Sequence, residues 1–294
     1  MSGHLDEWEA LGERIELSDG EYVWAARLAA DRDAGNPPAL LLHGFPTCSY
    51  DWRPVLAALR AERDVVLFDF LGFGLSAKPD RRYSLRLHAD TTEAVARHFE
   101  LSVVDLVTHD MGDSVGGELL ARSLEGTLGF EVRRRVLTNG SIYLDMAHLT
   151  DGQNLLLSLP DAVTPIIGAD RGVAWRRAIA ATYAPGSSVD EAEIADLYEL
   201  AARDDGLPMM ARTIRYIEDR RAEERRFTGA IEQHPSPLAI VWGNQDPIAV
   251  VAMADALRVA RPDAKLTILG GVGHYPMIES PGAFATAVLI GFAS

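Results

Sequence analysis

The chain has 294 residues, of which 48% are hydrophobic and 24% are charged, values that are typical of a folded globular protein. Lysine and arginine number 28 against 43 aspartates and glutamates, and the net charge of −15 disfavours nucleic acid and anionic lipid surfaces as partners. The single cysteine, Cys48, excludes an intrachain disulfide and a thiolate-rich metal cluster. Residues 1–10 lack a secretory signal pattern and no apolar run approaches the ~20 residues of a membrane span, so we expect a cytoplasmic protein.

Short apolar runs bounded by glycine, proline or aspartate recur along the chain and are typical of buried strands. The first two, residues 14–17 and 22–28, flank a Ser-Asp-Gly turn and predict an antiparallel hairpin at a sheet edge. The others are residues 39–42, 65–68, 103–107, 136–137, 238–242 and 266–269. Amphipathic stretches at residues 50–60, 85–99 and 250–259 alternate with several of these runs. This alternation predicts an α/β fold with a mostly parallel central sheet flanked by helices.

The alternation stops between residues 143 and 228. Helical periodicity at residues 175–183, 189–203 and 208–227, with no strand between them, predicts an inserted helical lid. The core is then formed by residues 1–142 and 229–294. Arginines 220, 221, 225 and 226 lie within the lid among acidic residues at helical spacing, so we predict that they form a solvated helix face.

A candidate nucleophile lies between a predicted strand and a predicted helix that runs to Arg122. A sharp strand–turn–helix of this kind holds its central side chain in strained backbone geometry at the positive end of the helix. Asp110 occupies that centre, and its carboxylate can attack an electrophilic carbon to form an ester. Residues 112–116 also match the G-x-S-x-G pattern of serine hydrolases, but Ser114 lies several residues past the strand. We favour Asp110 and keep Ser114 as the alternative.

Three other predicted strand ends carry polar or glycine-rich turns. Asp246 follows the strand at residues 238–242, and His274 lies in the glycine-rich loop after the last strand. The order Asp110, Asp246, His274 matches the nucleophile–acid–histidine order of a hydrolase triad. The turn after residue 42 can present the backbone N–H of Phe45, which with that of Met111 would form an oxyanion hole. His43, His109 and His148 are weaker candidates for the base, because none follows an acid on a late strand-end loop.

In these motifs the sequence resembles the α/β-hydrolase family, and within it the epoxide hydrolase and haloalkane dehalogenase branch, whose members have aspartate at the elbow. The resemblance extends over nearly the whole chain. It includes the strings His-Gly-Phe-Pro from His43, Asp-Phe-Leu-Gly-Phe-Gly-Leu-Ser from Asp69, His-Asp-Met-Gly from His109, Asp-Pro from Asp246, and Gly-His from Gly273 with Glu279 and Pro281 following. The sequence is also similar to mesoderm-specific transcript proteins, an epoxide-hydrolase-like group.

Within this branch, particular residues distinguish haloalkane dehalogenases from epoxide hydrolases. Haloalkane dehalogenases typically have tryptophan after the nucleophile and often asparagine after His-Gly, whereas this chain has Met111 and Phe45, whose side chains cannot donate a comparable hydrogen bond. Epoxide hydrolases use lid tyrosines as proton donors. Tyr216 is the best candidate for that role. Tyr143, Tyr183 and His148 are further candidates for substrate contacts in the lid, beside Phe45 and Met111 in the core.

The sequence therefore predicts a hydrolase that converts a small apolar epoxide and water into a vicinal diol. Asp110 forms an alkyl-enzyme ester, Tyr216 protonates the leaving oxygen, and His274, oriented by Asp246, activates the water that hydrolyses the ester. We expect no cofactor and no metal. The alternatives are a haloalkane dehalogenase with atypical halide donors, a Ser114-dependent esterase or lactonase, and an inactive hydrolase fold that acts as a binding module.

Overall fold

A computed structural model describes residues 3–187 and 190–293 of the chain. The strands are β1 (Glu13–Glu16), β2 (Tyr22–Leu28), β3 (Ala39–Leu42), β4 (Val65–Phe68), β5 (Val103–His109), β6 (Glu131–Thr138), β7 (Leu238–Gly243) and β8 (Lys265–Leu269). The α-helices are α1 (Gly3–Glu9), α2 (Leu56–Leu59), α3 (Leu85–His98), α4 (Met111–Leu124), α5 (Asp151–Ser158), α6 (Val173–Ala180), α7 (Glu191–Ala202), α8 (Gly206–Thr213), α9 (Tyr216–Gln233), α10 (Ala252–Ala260), α11 (Pro276–Glu279) and α12 (Pro281–Phe292). Two 3₁₀ segments, Ser49–Val55 and Arg203–Asp205, complete the list.

The strands form one sheet in the order β1-β2-β4-β3-β5-β6-β7-β8. The pairs β1–β2 and β2–β4 are antiparallel, and all pairs from β4 to β8 are parallel. The α/β class, the mostly parallel sheet and the edge hairpin are thus confirmed. Strands β3, β4 and β7 are buried along their whole length because helices cover the sheet.

Helices pack closely on the parallel strands. Helix α4 lies on β3, β5 and β6, while α12 lies on β6, β7 and β8. The approach of α12 depends on Gly291, where an added Cβ would lie 2.7 Å from Ala239 Cβ. None of the helices that the structure describes is long and apolar enough to cross a membrane.

Several predicted elements differ in extent from those observed. The strand predicted at residues 136–137 extends over Glu131–Thr138, because polar residues at its start hid it from the apolar pattern. The helix predicted at residues 50–60 is mostly a 3₁₀ segment with Pro54 inside it, and only Leu56–Leu59 is α-helical. Proline lacks the N–H that an α-helix requires at that point. Helices α1, α5, α11 and α12 were not predicted. The first three are short, and α12 is apolar along nearly its whole length, so none gives a clear amphipathic period.

Helices α5 to α9 lie between β6 and β7, with no strand among the residues described there. The predicted helix at 189–203 corresponds to Glu191–Ala202, and its expected start at residue 189 falls outside the described residues. The stretch at 208–227 is two helices, α8 and α9. Helix α9 continues to Gln233 across a kink at Glu223, where φ is −134° and ψ is 35°, so the lid boundary expected at residue 228 lies in its second part.

Candidate active site

The turn between β5 and α4 holds Asp110 in a conformation that few side chains adopt. Its backbone angles are φ 50° and ψ −114°, and it immediately precedes the first residue of α4. Gly112 allows the helix to start against β3, because a Cβ there would lie 2.5 Å from the Leu42 carbonyl oxygen. The strained strand–turn–helix that the sequence predicts is therefore present, with the buried carboxylate of Asp110 at its centre.

The two oxygens of Asp110 have different neighbours. The backbone N–H of Phe45 donates to Oδ2 at 2.9 Å, whereas Oδ1 lies 3.9 Å from His274 Nε2. Gly44 makes this approach possible, since an added Cβ would lie 2.5 Å from Asp110 Cβ. Met111 is the first residue of α4, where the N–H group has no acceptor within the helix. The structure thus brings together the residues expected to form the nucleophile and the oxyanion hole.

His274 is held by the loop after β7. Its Nδ1 lies 2.7 Å from Asp246 Oδ2, and the backbone N–H groups of Ile248 and Ala249 donate to Asp246 Oδ1 at 2.7 and 3.0 Å. Asn139 Nδ2 also donates to Asp246 Oδ2, at 2.8 Å. With these three donors satisfying Asp246, its carboxylate fixes the orientation of His274, so that Nε2 points toward Asp110.

The surrounding charges determine how His274 titrates. Burial lowers the pKa of His274, but the charge of Asp246, the hydrogen bond to it and the charge of Asp110 outweigh burial and raise the pKa to about 9. The imidazole is therefore protonated in the resting site near neutral pH. Any change that neutralised the Asp110 carboxylate would lower the pKa of His274 and so favour the neutral imidazole.

Tyr216 lies near Asp110 and Phe45. It is the first residue of α9 and is buried, with its ring 5.9 Å from that of Phe45. Burial and the charge of Asp110 raise the pKa of Tyr216, while the charge of Arg220 lowers it. The phenol is therefore a neutral hydroxyl, which can act as a proton donor beside the carboxylate.

The other lid candidates are placed differently. The Tyr143 hydroxyl donates to Glu232 Oε1 at 3.0 Å, and His148 is exposed. Neither side chain forms a hydrogen bond or ring contact with Asp110 or His274 among the described residues. Tyr183 is buried with its ring 5.7 Å from that of Tyr275, and its hydroxyl has no hydrogen-bond partner among the described residues. Of these three side chains, only that of Tyr183 makes a ring contact with the loop that carries His274, residues 270–275, which we call the histidine loop.

Ser114, the alternative nucleophile, lies inside α4 and is buried. Its Oγ is 3.5 Å from Arg220 Nη1, and no hydrogen bond joins it to His274 among the described residues. A serine in this position is one helical turn past the elbow, as its distance from the strand predicted.

The two histidines next to the catalytic turns contact the backbone. His43 Nε2 accepts from the Phe70 N–H at 3.0 Å and its Nδ1 lies 2.9 Å from the Gly44 carbonyl oxygen. His109 Nε2 lies 2.8 Å from the carbonyl oxygen of His274. Burial holds the pKa of His109 well below its usual range. Both rings support the loops that carry Phe45 and His274.

Three residues near the site were given no role from the sequence, although Glu279 belongs to the motif that carries the family resemblance. Asn139, with φ 49°, follows β6 and orients Asp246; its Asn-Gly step at a strand end was the available signal. Glu279 accepts from the backbone N–H groups of Gly273 and Ala184, and so joins the histidine loop to the lid. The prediction of a solvated face is wrong for Arg220, which is 2% exposed. Its position four residues after Tyr216, on the same face of α9, was the signal.

Comparison with known proteins agrees with this fold. Residues 39–287 match the alpha/beta hydrolase family. The chain belongs to this family. It is 40% identical over 254 residues to a Mycobacterium tuberculosis protein named "Putative hydrolase LipZ", covering 86% of this chain and 87% of that protein. It is 31% identical to the mesoderm-specific transcript protein of Mus musculus over 264 residues, or 87% of this chain and 78% of that protein.

Solved structures show the same fold. An α/β-hydrolase fold protein from Burkholderia ambifaria has a TM-score of 0.79 and 22% identity, covering 95% of this chain and 97% of that one. The epoxide hydrolase CorEH has a TM-score of 0.78 and 19% identity, with 96% and 98% coverage. At these identities the likeness concerns the fold alone.

Proposed function

We propose that this hydrolase opens an epoxide to a vicinal diol through a covalent ester on Asp110. The observation that carries the proposal is the division between the two Asp110 oxygens. Oδ2 accepts from the Phe45 N–H, and Oδ1 lies beneath His274 Nε2. In this arrangement Oδ1 is available to attack the substrate. Oδ2 already accepts the backbone hydrogen bond that would stabilise it as an oxyanion during hydrolysis of the ester.

In the first step Asp110 Oδ1 attacks an epoxide carbon, the carbon–oxygen bond of the ring breaks, and its electron pair goes to the ring oxygen. Tyr216 donates its phenolic proton to that oxygen. Once Asp110 is a neutral ester, the pKa of His274 falls and its imidazolium releases a proton to the solvent. In the second step the neutral imidazole takes a proton from water, and the hydroxide adds to the Asp110 carboxyl carbon. Collapse of this intermediate releases the diol and regenerates the carboxylate. The proton on His274 and the proton of the added hydroxyl go to the diol oxygen and to Tyr216, and the imidazole regains its resting proton from the solvent.

Epoxide opening is favoured over halide release because of the groups around Asp110. A phenol lies beside the carboxylate, and an alkoxide needs a proton donor whereas a halide does not. The side chains of Phe45 and Met111 offer no donor for a halide. The rings of Phe45, Phe73 and Tyr216 make an apolar wall near Asp110, which suits an apolar epoxide.

The test is a single turnover of styrene oxide with excess enzyme in oxygen-18 water, followed by mass spectrometry of the diol and of the Asp110 peptide. We expect unlabelled diol from the first turnover and label in Asp110, because the oxygen added to the carbon comes from the carboxylate. We expect Asp110→Asn to lower turnover by at least about 1,000-fold. A fully labelled diol from the first turnover would contradict the ester mechanism.

The same assays separate the alternatives. Bromide release from 1-bromobutane without diol formation from styrene oxide would favour a dehalogenase. Hydrolysis of p-nitrophenyl butyrate that survives Asp110→Asn but is lost in Ser114→Ala would favour the serine esterase. Under the proposal, Ser114→Ala still forms the Asp110 ester.

A further inference from the structure

Helices α4 and α9 lie side by side and run in the same direction. Asp110 and Tyr216 lie at their starts, and one turn further along each helix Ser114 faces Arg220, with Ser114 Oγ 3.5 Å from Arg220 Nη1. Side chains on a helix lean toward its N-terminus. The Arg220 side chain therefore leans toward Tyr216, and its guanidinium carbon is 5.4 Å from the centre of that ring.

Arg220 is a buried cation without a carboxylate. Its Nε has no hydrogen-bond partner, and no aspartate or glutamate lies within ion-pair distance in the part of the chain that the structure describes. Three other arginines have partners that Arg220 lacks. Arg63, which is also buried, pairs with Asp105, and Arg226 pairs with Glu118. The buried Arg135 donates to three backbone carbonyl oxygens. Burying a guanidinium without a carboxylate partner costs folding free energy. Negative charge that develops nearby during a reaction would offset that cost.

The proposed reaction supplies that charge. Before ring opening the negative charge is on Asp110; afterwards Asp110 is a neutral ester and the charge is on the ring oxygen or, once the proton has moved, on the Tyr216 oxygen. We propose that Arg220 is a positioning residue that stabilises this displaced charge through Tyr216. The inference rests on the proposed function. The charge of Arg220 also lowers the pKa of Tyr216, opposing burial and the charge of Asp110.

The first experiment separates ester formation from ester hydrolysis, using excess enzyme, styrene oxide and rapid quenching before intact-mass measurement. We expect Arg220→Gln to slow ester formation about 10- to 100-fold and to change ester hydrolysis by less than about 3-fold. Arg220→Lys keeps the charge and should recover most of the rate. Arg226→Gln is the matched control on the same helix, and should leave the rate of ester formation unchanged. A structural role alone would slow both steps in Arg220→Gln, or leave Arg220→Lys as impaired as Arg220→Gln.

The second experiment does not depend on epoxide chemistry. Asp110→Asn puts a neutral side chain at the elbow, as the ester does, so bromide can act as the displaced anion in calorimetric titrations at constant ionic strength. We expect Asp110→Asn to bind bromide, and the double variant with Arg220→Gln to bind it at least about 10-fold more weakly. Equal binding by the two variants, or no binding by either, would overturn the role of Arg220. Arg220-dependent binding without diol formation from styrene oxide would instead reject the proposed function and keep Arg220 as an anion-stabilising residue.

Discussion

Asp110 and His274 are only 3.9 Å apart, yet the proposed reaction assigns them to successive steps. Asp110 carries the substrate carbon, and His274 acts only when water arrives. A variant that lacks the base should therefore complete the first step and stop.

We expect His274→Gln to accumulate the ester, since hydrolysis of the ester loses its general base and slows by roughly 100- to 10,000-fold. Intact-mass measurement after mixing with styrene oxide should show an added mass equal to that of the epoxide. The double variant with Asp110→Asn is the control and should show no added mass. Adduct-free His274→Gln protein would contradict the division of steps.

The charge of Asp110 is expected to control the titration of His274. The pKa of His274 is raised to about 9, so its imidazole gains its proton as the pH falls through that value and is charged at neutral pH. Asp110→Asn removes one of the charges that raise this pKa, and we expect it to lower the pKa of His274 by about 1 unit or more. Proton–nitrogen NMR of the ring measures both values.

The exposed, distant Glu125→Gln is the control and should leave the pKa of His274 where it is in the wild type. If Asp110→Asn left the pKa of His274 unchanged as well, the ester could not convert the imidazole into a base in the way proposed.

At the scale of elements, Glu279 at the end of α11 connects the histidine loop with the lid. Its Oε2 accepts from the N–H groups of Gly273 and Ala184 at 2.9 and 2.8 Å, and its Oε1 accepts from the N–H of Tyr275 at 3.1 Å. The N–H of His274 in turn donates to the Thr182 carbonyl oxygen at 3.0 Å. The lid segment and the catalytic loop are therefore held as one unit.

Glu279→Gln replaces one acceptor oxygen by an amide group that faces N–H donors. We expect the free energy of unfolding to fall by about 1–3 kcal/mol, and turnover of styrene oxide to fall because the His274 loop loses its anchor. Urea denaturation and steady-state kinetics measure the two effects. Glu125→Gln is the matched substitution at an exposed site, where it weakens an ion pair with Arg226. Because exposed ion pairs contribute little, this variant should lower the free energy of unfolding less than Glu279→Gln does and should leave turnover unchanged. Loss of stability without any loss of turnover in Glu279→Gln would show that the anchor is not needed for catalysis.

What the sequence could predict differs between the core and the lid. Asp110, Asp246 and His274 follow strands whose apolar runs are long enough to recognise, and parallel strands bring their carboxyl ends to one edge. The local pattern therefore located these residues. Lid side chains take their direction from tertiary packing, so the local pattern could not show that Tyr143 contacts Glu232 and that Tyr216 contacts Phe45. Only the family resemblance ranked Tyr216 above Tyr143.

The burial of Arg220 likewise could not be predicted from the local sequence. Its neighbours in sequence alternate in charge, which is typical of a solvated face, and Arg225 does lie on one, with its side chain 72% exposed. Arg220 differs because its side of α9 packs against α4. A charge pattern in sequence does not report which side of a helix meets another helix.

At the scale of the whole molecule, a histidine that is buried without a partner among the described residues makes stability depend on pH. His88 lies among Phe70, Phe73 and Tyr83, and neither ring nitrogen has a partner among the described residues. Burial and the charge of His43 lower the pKa of His88 from 6.5 to about 3. As the pH falls through about 6.5, His88 is protonated in the unfolded chain but stays neutral in the folded chain. The free energy of unfolding therefore falls as the pH falls through that value.

We expect His88→Leu to reduce this pH dependence. Between about pH 7.5 and about pH 5.5, His88 should account for a loss of about 1–1.5 kcal/mol in the free energy of unfolding, which the variant lacks. Both values lie above the isoelectric point of about 4.9, so the protein keeps its negative charge in both urea titrations. Comparing each variant with itself at the two values cancels the packing change at residue 88. The control His148→Leu, at an exposed ring, should retain the wild-type pH dependence. If the free energy of unfolding of His88→Leu fell as steeply as that of the wild type, other groups would cause the acid sensitivity. His234, with its pKa lowered to about 4, is the next candidate.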